Sequence, residues 1–198
     1  MPKQVDYEDR RIRISQAVCH LIARSGMEAV SLRDVAAEAG VSMGAVQRCF
    51  RTKDEMLLFA LEGISDRIGE RARSRIEASG TPESAVTLLD QTLSALALLE
   101  PEDRTEAQVW GAFVAHAAVS DDLAKVLRDT YAKLHELLVW LLEYGGSTGE
   151  LRPGLDAQSE ARVLLALTEG LTSQVLVGHQ TGEGARGLLR GYAKGLRR

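Results

Sequence analysis

Apolar residues recur at three- and four-residue spacing along nearly the whole chain, a rhythm that predicts helices throughout and no sheet. Ile14, Ala17, Val18, Leu21 and Ile22 form one face of a first helix, Asp9 to Ser25, which Gly26 closes. A much shorter helix follows, Leu32 to Ala39, with Leu32, Val35, Ala36 and Ala39 inside. Ser31 caps it, and Asp34 three residues on makes a short form of the capping box. Gly40 stands where the chain must leave in a left-handed conformation, which a residue without a Cβ adopts cheaply. Ser42 then opens a second short helix, Met43 to about Cys49, whose inward positions are Val46 and, just past its end, Phe50. Two short helices joined by a tight glycine turn form a helix-turn-helix.

Beyond it, Thr52 and Glu55 read as a capping box for a long helix through Leu57, Leu58, Leu61, Ile64 and Ile68 to about Ala78. Thr81 and Pro82 start the next, with Val86, Leu89, Leu93 and Leu96 on one face. Pro101 starts another reaching about Val119, and Ser120 caps a long one striped from Leu123 to Leu142. Gly145, Gly146, Gly149, Pro153 and Gly154 mark the longest irregular stretch. Asp156 begins a helix that ends near Gly178, and a last one runs from Glu183 to Leu196. There Gly187, Gly191 and Gly195 recur every fourth residue, a bare face that another helix can approach closely. The expected fold class is all-α: a three-helix head over residues 1–53 and a larger helical body over 54–198. Residues 1 to 8 are polar, either an arm or a frayed terminus.

Charge sharpens this division. The 198-residue chain carries a net charge of −4. Through Lys53, nine Lys and Arg stand against six Asp and Glu, a net +3, which leaves −7 on the remainder. A cationic head on an anionic body concentrates attraction for a polyanion on the head. No run of about 18 apolar residues exists, and MPKQVDYEDRR lacks the apolar core of a signal peptide, so a cytoplasmic protein is expected. Cys19 and Cys49 suit a reducing compartment. Redox sensing by Cys49 has no identified resolving partner, and a structural thiol is the plainer reading.

The stretch AAEAGVSMGAVQRCFRTKDEML, with RIRISQAVCHLIARSG upstream, resembles the signature of the TetR family of bacterial transcription repressors. Arg11, Ile14, Ala17, Gly26, Ala39, Gly40, Val41, Ser42, Gly44, Phe50 and Lys53 match its pattern. Two positions depart: the usual tyrosine three before the phenylalanine is Gln47, and the usual aromatic directly before it is Cys49. DNA contacts from those two aromatic side chains therefore do not carry over. The resemblance implies a homodimer on an inverted-repeat operator, with the last two helices pairing with their copies in a four-helix bundle. Read from the residues alone, Ala161, Leu164, Ala166, Gly170 and Leu171 suit that bundle or an ordinary intrachain core equally.

Residues of the second short helix that face away from Val46 and Phe50 are the base readers: Met43, Gly44, Ala45, Gln47 and Arg48. Gln47 can pair bidentately with adenine and Arg48 with guanine, while Ala45 or Met43 can meet a thymine methyl. Ser42, Gly44 and Lys53 suit phosphate, Lys53 because an ammonium and a helix N-terminus converge there. Arg33 aligns with a family position that often reaches bases or backbone. Arg10, Arg11 and Arg13 read equally as phosphate contacts or as a solvated face. One head buries too little surface for tight specific binding, so two copies on adjacent major grooves are expected.

In the body, Trp110, Phe113, His116, Tyr131, His135 and Glu169 either line a mostly apolar effector pocket with polar anchors or belong to a packed core. The resemblance implies a small-molecule effector that moves the long helix from Lys53; a body regulated by a partner protein or by dimerisation alone is the alternative. No cofactor or metal motif is present. Residues three before His20, His116, His135 and His179 are Ala17, Phe113, Ala132 and Leu176, so no Glu-x-x-His pair exists for a di-iron bundle. GVSMG at Gly40–Gly44 matches a nucleophile elbow by letter, and GEGARG at Gly182–Gly187 a dinucleotide fingerprint, but no strand precedes either. An enzyme is not expected.

Overall fold

The computed structural model describes residues 2–198, with side chains from Asp6 onward. Nine α-helices carry the described chain: α1 (Pro2–Ser25), α2 (Leu32–Glu38), α3 (Met43–Cys49), α4 (Lys53–Glu77), α5 (Ala85–Leu96), α6 (Arg104–Ala117), α7 (Asp121–Thr148), α8 (Ala157–Leu176) and α9 (Gly182–Gly195). Among the described residues no strand forms; Leu151 and Arg197 make one isolated antiparallel bridge. The all-α expectation holds.

Four boundaries differ from the sequence expectation, each for a physical reason. Helix α1 extends upstream to Pro2, because nothing in QVDYED breaks a helix and proline is tolerated in a first turn. The polar segment before Asp9 is therefore helical from Pro2, and Met1 lies outside the described residues. Helix α5 starts at Ala85 rather than Pro82: Ser84 is its N-cap and accepts from the Thr87 amide. Pro101 opens a single 3-10 turn, Pro101–Asp103, before α6 begins. Finally, α7 runs straight through Gly145 and Gly146 to Thr148. Glycine there serves packing, since a Cβ on Gly145 would lie 2.6 Å from the Leu151 side chain.

The chain divides into two compact units. The first comprises the chain through Arg67 together with Gln108–Ala124. Within it, α1 supplies Ile14, Ala17, Val18, Leu21 and Ile22, all buried, and α2 and α3 supply Val35, Ala36, Val46 and Cys49. The second comprises Ile68–Ala107 and Lys125–Arg198. Its core joins Leu89 and Leu93 of α5, Leu138, Leu141 and Leu142 of α7, Leu164 and Leu171 of α8, and Leu189 of α9. Helix α4 is continuous from Lys53 to Glu77 and so belongs to both.

Candidate nucleic-acid interface

The helix-turn-helix is held by local hydrogen bonds at each of its ends. Ser31 adopts an extended conformation and its hydroxyl oxygen accepts from the Asp34 amide at 3.2 Å. The Asp34 carboxylate accepts a hydrogen bond from the Ser31 hydroxyl at 2.5 Å, rather than from the Ser31 amide. At the other end of α2, Gly40 takes φ +63°, and the Val41 amide donates to the Ala36 carbonyl at 3.0 Å. That six-to-one bond is the Schellman closure, and it needs a residue free of left-handed strain. Ser42 then accepts from the Ala45 amide at 3.2 Å and starts α3. Thr52 accepts from the Glu55 amide at 3.0 Å, and Glu55 answers by accepting from Arg51, one residue before the cap.

One face of α3 is sealed. Val46, Cys49 and Phe50 are buried, and burial pushes the Cys49 thiol above its ordinary pKa, against the opposing pull of Arg10, Arg11 and Arg48. That environment makes it a packing thiol, unsuited to forming thiolate. Ala45, expected on the groove face, is only 7% exposed and joins the inner face instead. It lies four residues before buried Cys49, on the same helix face, which turns its small methyl into the core. The outer face carries Met43 at 51% exposure, with Gln47 and Arg48 exposed beside it. Gly44 is half-buried, and Arg33, Ser42 and Lys53 are exposed, Lys53 as the first residue of α4.

Arg11 plays a part that periodicity did not reveal. Its guanidinium lies 4.0 Å from the Phe59 ring centroid and 5.1 Å from that of Phe50, and those two rings meet at 5.4 Å. It is thereby held, half-buried, against the residue that ends α3. The Tyr7 hydroxyl donates to the Cys49 carbonyl at 3.5 Å, a second hold on the same helix end. Only tertiary placement of Phe59 makes this visible; the signal in the sequence is an arginine three residues before Ile14 on the otherwise buried side of α1.

The six effector candidates do not fall in one unit. Trp110, Phe113 and His116 belong to the α6 segment grouped with the head. Phe113 is fully buried, and His116 Nδ1 lies 3.9 Å from Glu28. Tyr131, His135 and Glu169 belong to the second unit. There the Tyr131 hydroxyl donates to the Glu169 carboxylate, and His135 Nε2 stands 3.1 Å from the Gln158 carbonyl.

A capped recognition helix with one sealed face and one polar face, on an all-α chain, defines a helix-turn-helix DNA-binding protein. Two family models match: residues 14–60 match bacterial regulatory proteins of the tetR family, and residues 85–198 match the C-terminal region of BetI-type transcriptional repressors. The chain is 32% identical over 178 residues to the HTH-type transcriptional regulator PksA of Bacillus subtilis (strain 168), covering 89% of this chain and 83% of that one. A transcriptional regulator from Rhodococcus sp. Rha1 superposes with TM-score 0.79 at 32% identity, over 94% of this chain and 95% of its own. A Saccharomonospora viridis protein solved in complex with choline superposes with TM-score 0.83 at 25% identity, over 94% and 96%. The chain belongs to the TetR family, and it is a transcriptional regulator of the TetR/BetI type, a non-enzymatic class. The letter matches GVSMG and GEGARG are accordingly a helix-turn-helix turn and the start of α9. Among the described residues no helix is long and apolar enough to cross a membrane.

Proposed function

We propose that this regulator is a cytoplasmic repressor that binds an inverted-repeat operator as a homodimer and is released by a small molecule. The observation that carries the reading is the exposed Met43, Gln47 and Arg48 face on a helix whose opposite face is sealed by Val46, Cys49 and Phe50. Gln47 and Arg48 read base edges, Met43 meets a thymine methyl, and Arg33, Ser42, Gly44 and Lys53 hold phosphates. Ala45 is left out because its side chain is spent on the core. Residues 1–53 act as the reader and 54–198 as the effector and dimerisation region.

Dimerisation is supported by α8 and α9, which expose Val163 at 44% and Leu188 at 54% beside exposed Ala166, Gly170, Gly187 and Gly191. Bare and apolar positions of this kind let a second pair of helices approach closely. For the effector, Tyr131 and Glu169 place an aromatic ring and a carboxylate together, the groups a quaternary ammonium uses. Choline, present in the Saccharomonospora viridis structure, is therefore a rational first probe. Effector binding acts by favouring a dimer spacing that does not fit the operator, transmitted along α4, with a coupling of about 1–3 kcal/mol.

The test is selection of binding sites from random DNA, followed by gel shift at two salt concentrations. A two-fold symmetric site is expected; Gln47→Ala should relax base preference, and Lys53→Ala should weaken all sequences and flatten the salt slope. Failure to enrich any sequence overturns the operator reading.

A further inference from the structure

We propose that the second unit holds a binding cleft for an amphipathic carboxylate, built where the α5–α6 connection meets the end of α8 and the start of α9, separate from Tyr131 and Glu169. The cleft measures about 350 Å³ and its apolar wall is formed by Leu98, Pro101, Val175 and Leu176. That is within the size range of sites for small ligands.

Three features show that the backbone is shaped around this space. Leu98 takes φ +47°, the one non-glycine residue with positive φ among those described. A branched side chain is held there against its preference, which points to a local constraint other than helix formation. Thr172, 7% exposed, fixes the adjoining strand of chain by its hydroxyl, 2.5 Å from the Ala97 carbonyl. Gly182 also lines the cleft, and a Cβ there would collide with the Leu99 carbonyl oxygen, so the two walls meet as closely as glycine allows.

The charge at the cleft selects the ligand. Four charged side chains line it: Glu100, Arg104, Glu183 and Arg186. Arg186 and Glu100 pair at 2.8 Å and neutralise each other. Glu183 sits in the first turn of α9, where the helix N-terminus offsets its charge. Arg104 is left without an ion pair among the described residues; its guanidinium reaches only the Leu176 carbonyl, at 3.5 Å. An unpaired guanidinium beside an apolar wall fits a carboxylate carried on a hydrocarbon body. The turn that supplies Glu100, Pro101 and Arg104 also supplies Asp103, buried against Arg71 of α4 at 3.6 Å. A ligand drawn onto Arg104 therefore acts one residue from a contact with α4. This consequence for DNA rests on the regulator reading; the binding itself does not.

The experiment is thermal stability and calorimetric titration of the full-length protein with hexanoate and octanoate, against 1-hexanol, 1-octanol and zwitterionic 8-aminooctanoate, in the absence of DNA. Octanoate is expected to bind and raise the melting temperature, with both matched alcohols at least tenfold weaker. Arg104→Gln should reduce octanoate affinity by about tenfold or more while leaving the ligand-free melting temperature in place. Glu183→Gln should preserve or tighten binding, and Tyr131→Phe should leave it unchanged. Equal binding of octanoate and 1-octanol, indifference to Arg104→Gln, preference for 8-aminooctanoate with loss on Glu183→Gln, or no binding by any probe would each overturn the proposal.

Discussion

In the helix-turn-helix every cap lies three residues from the amide it satisfies: Ser31 for Asp34, Ser42 for Ala45, Thr52 for Glu55. The second unit has such caps too, at Ser84, Asp156 and Thr181, but adds others that come from far along the chain. Glu150 accepts from the Ser84 hydroxyl at 2.5 Å and the Ala85 amide at 2.9 Å, sealing the start of α5 from across 65 residues. Arg197 pairs with Asp90, and the Arg152 amide donates to the Leu196 carbonyl at 3.0 Å, which ties the chain end to the same corner. The caps of the reader's helices are thus all short-range, whereas the body adds long-range caps to short-range ones of its own. Substitutions should behave differently in the two.

The largest effect is expected where the body's long-range packing is tightest. Leu151 is 2% exposed and lies over Gly145. Leu151→Ala should cost about 2–5 kcal/mol by leaving a cavity. Gly145→Ala should cost about 1–3 kcal/mol by forcing its new methyl into the leucine. Each change relieves the other, so the double variant should be more stable than the sum of the two costs allows, by more than about 0.5 kcal/mol in urea unfolding. Strict additivity would show that Gly145 and Leu151 do not meet.

The head offers the matching break. Gly40→Ala places a Cβ in a left-handed conformation and should cost about 1–2 kcal/mol, although no neighbouring atom obstructs the new methyl. The penalty is purely local, so it should persist when any core position of the second unit is changed. Coupling between Gly40→Ala and Leu151→Ala in a double-mutant cycle would contradict that separation.

These two sites also show how much the sequence could disclose. Ser31, Gly40, Ser42 and Thr52 were legible because cap and turn chemistry acts between near neighbours, and the helix-turn-helix followed from them. The family signature shares Gly40 and Ser42 with that set, and adds Arg11 and Phe50, which meet only on folding. Pro82 and Gly145 misled because each was read from its own propensity, while Ser84, supported by Glu150, and Leu151, packed on Gly145, decided the outcome. Ala45 was misplaced because the inner face was drawn from Val46 and Phe50 alone, when buried Cys49, four residues after Ala45, belongs to that face too. Arg11 on Phe50 and Phe59, and the cleft at Arg104, depend on residues brought together only by folding.

Acidification should separate the units by a smaller margin. Hydrogen bonds from Ser84, then from the Ala85 amide, hold the Glu150 carboxyl below its ordinary value of 4.5. A depressed folded-state pKa means the stabilisation is present above the unfolded value and lost as pH falls through the folded one. At neutral pH Glu150→Gln should therefore lower stability by about 0.5–1 kcal/mol, the range of a solvent-exposed helix cap. Below pH 4.5 the gap between wild type and variant should narrow as wild-type Glu150 takes up its proton. A gap that stays constant down to the acid transition would show that the cap does not depend on the carboxylate's charge.

The smallest effect on stability carries the most information about the reader. At Gly44 an added Cβ would stand 3.6 Å from the Arg48 guanidinium, an ordinary contact, and α3 has no positive φ there. Alanine is the better helix former, so Gly44→Ala should leave the fold intact or strengthen it by up to about 1 kcal/mol. If the bare backbone at Gly44 lies against a phosphate, the same methyl must push the helix off the groove. The variant should then melt no lower than wild type while binding its selected DNA site at least tenfold more weakly, with base preference retained among the sites it still binds. Unchanged DNA affinity would remove Gly44 from the interface and leave Ser42 and Lys53 to position the helix. Lost affinity accompanied by relaxed base preference would instead move Gly44 among the residues that set the register of Gln47 and Arg48.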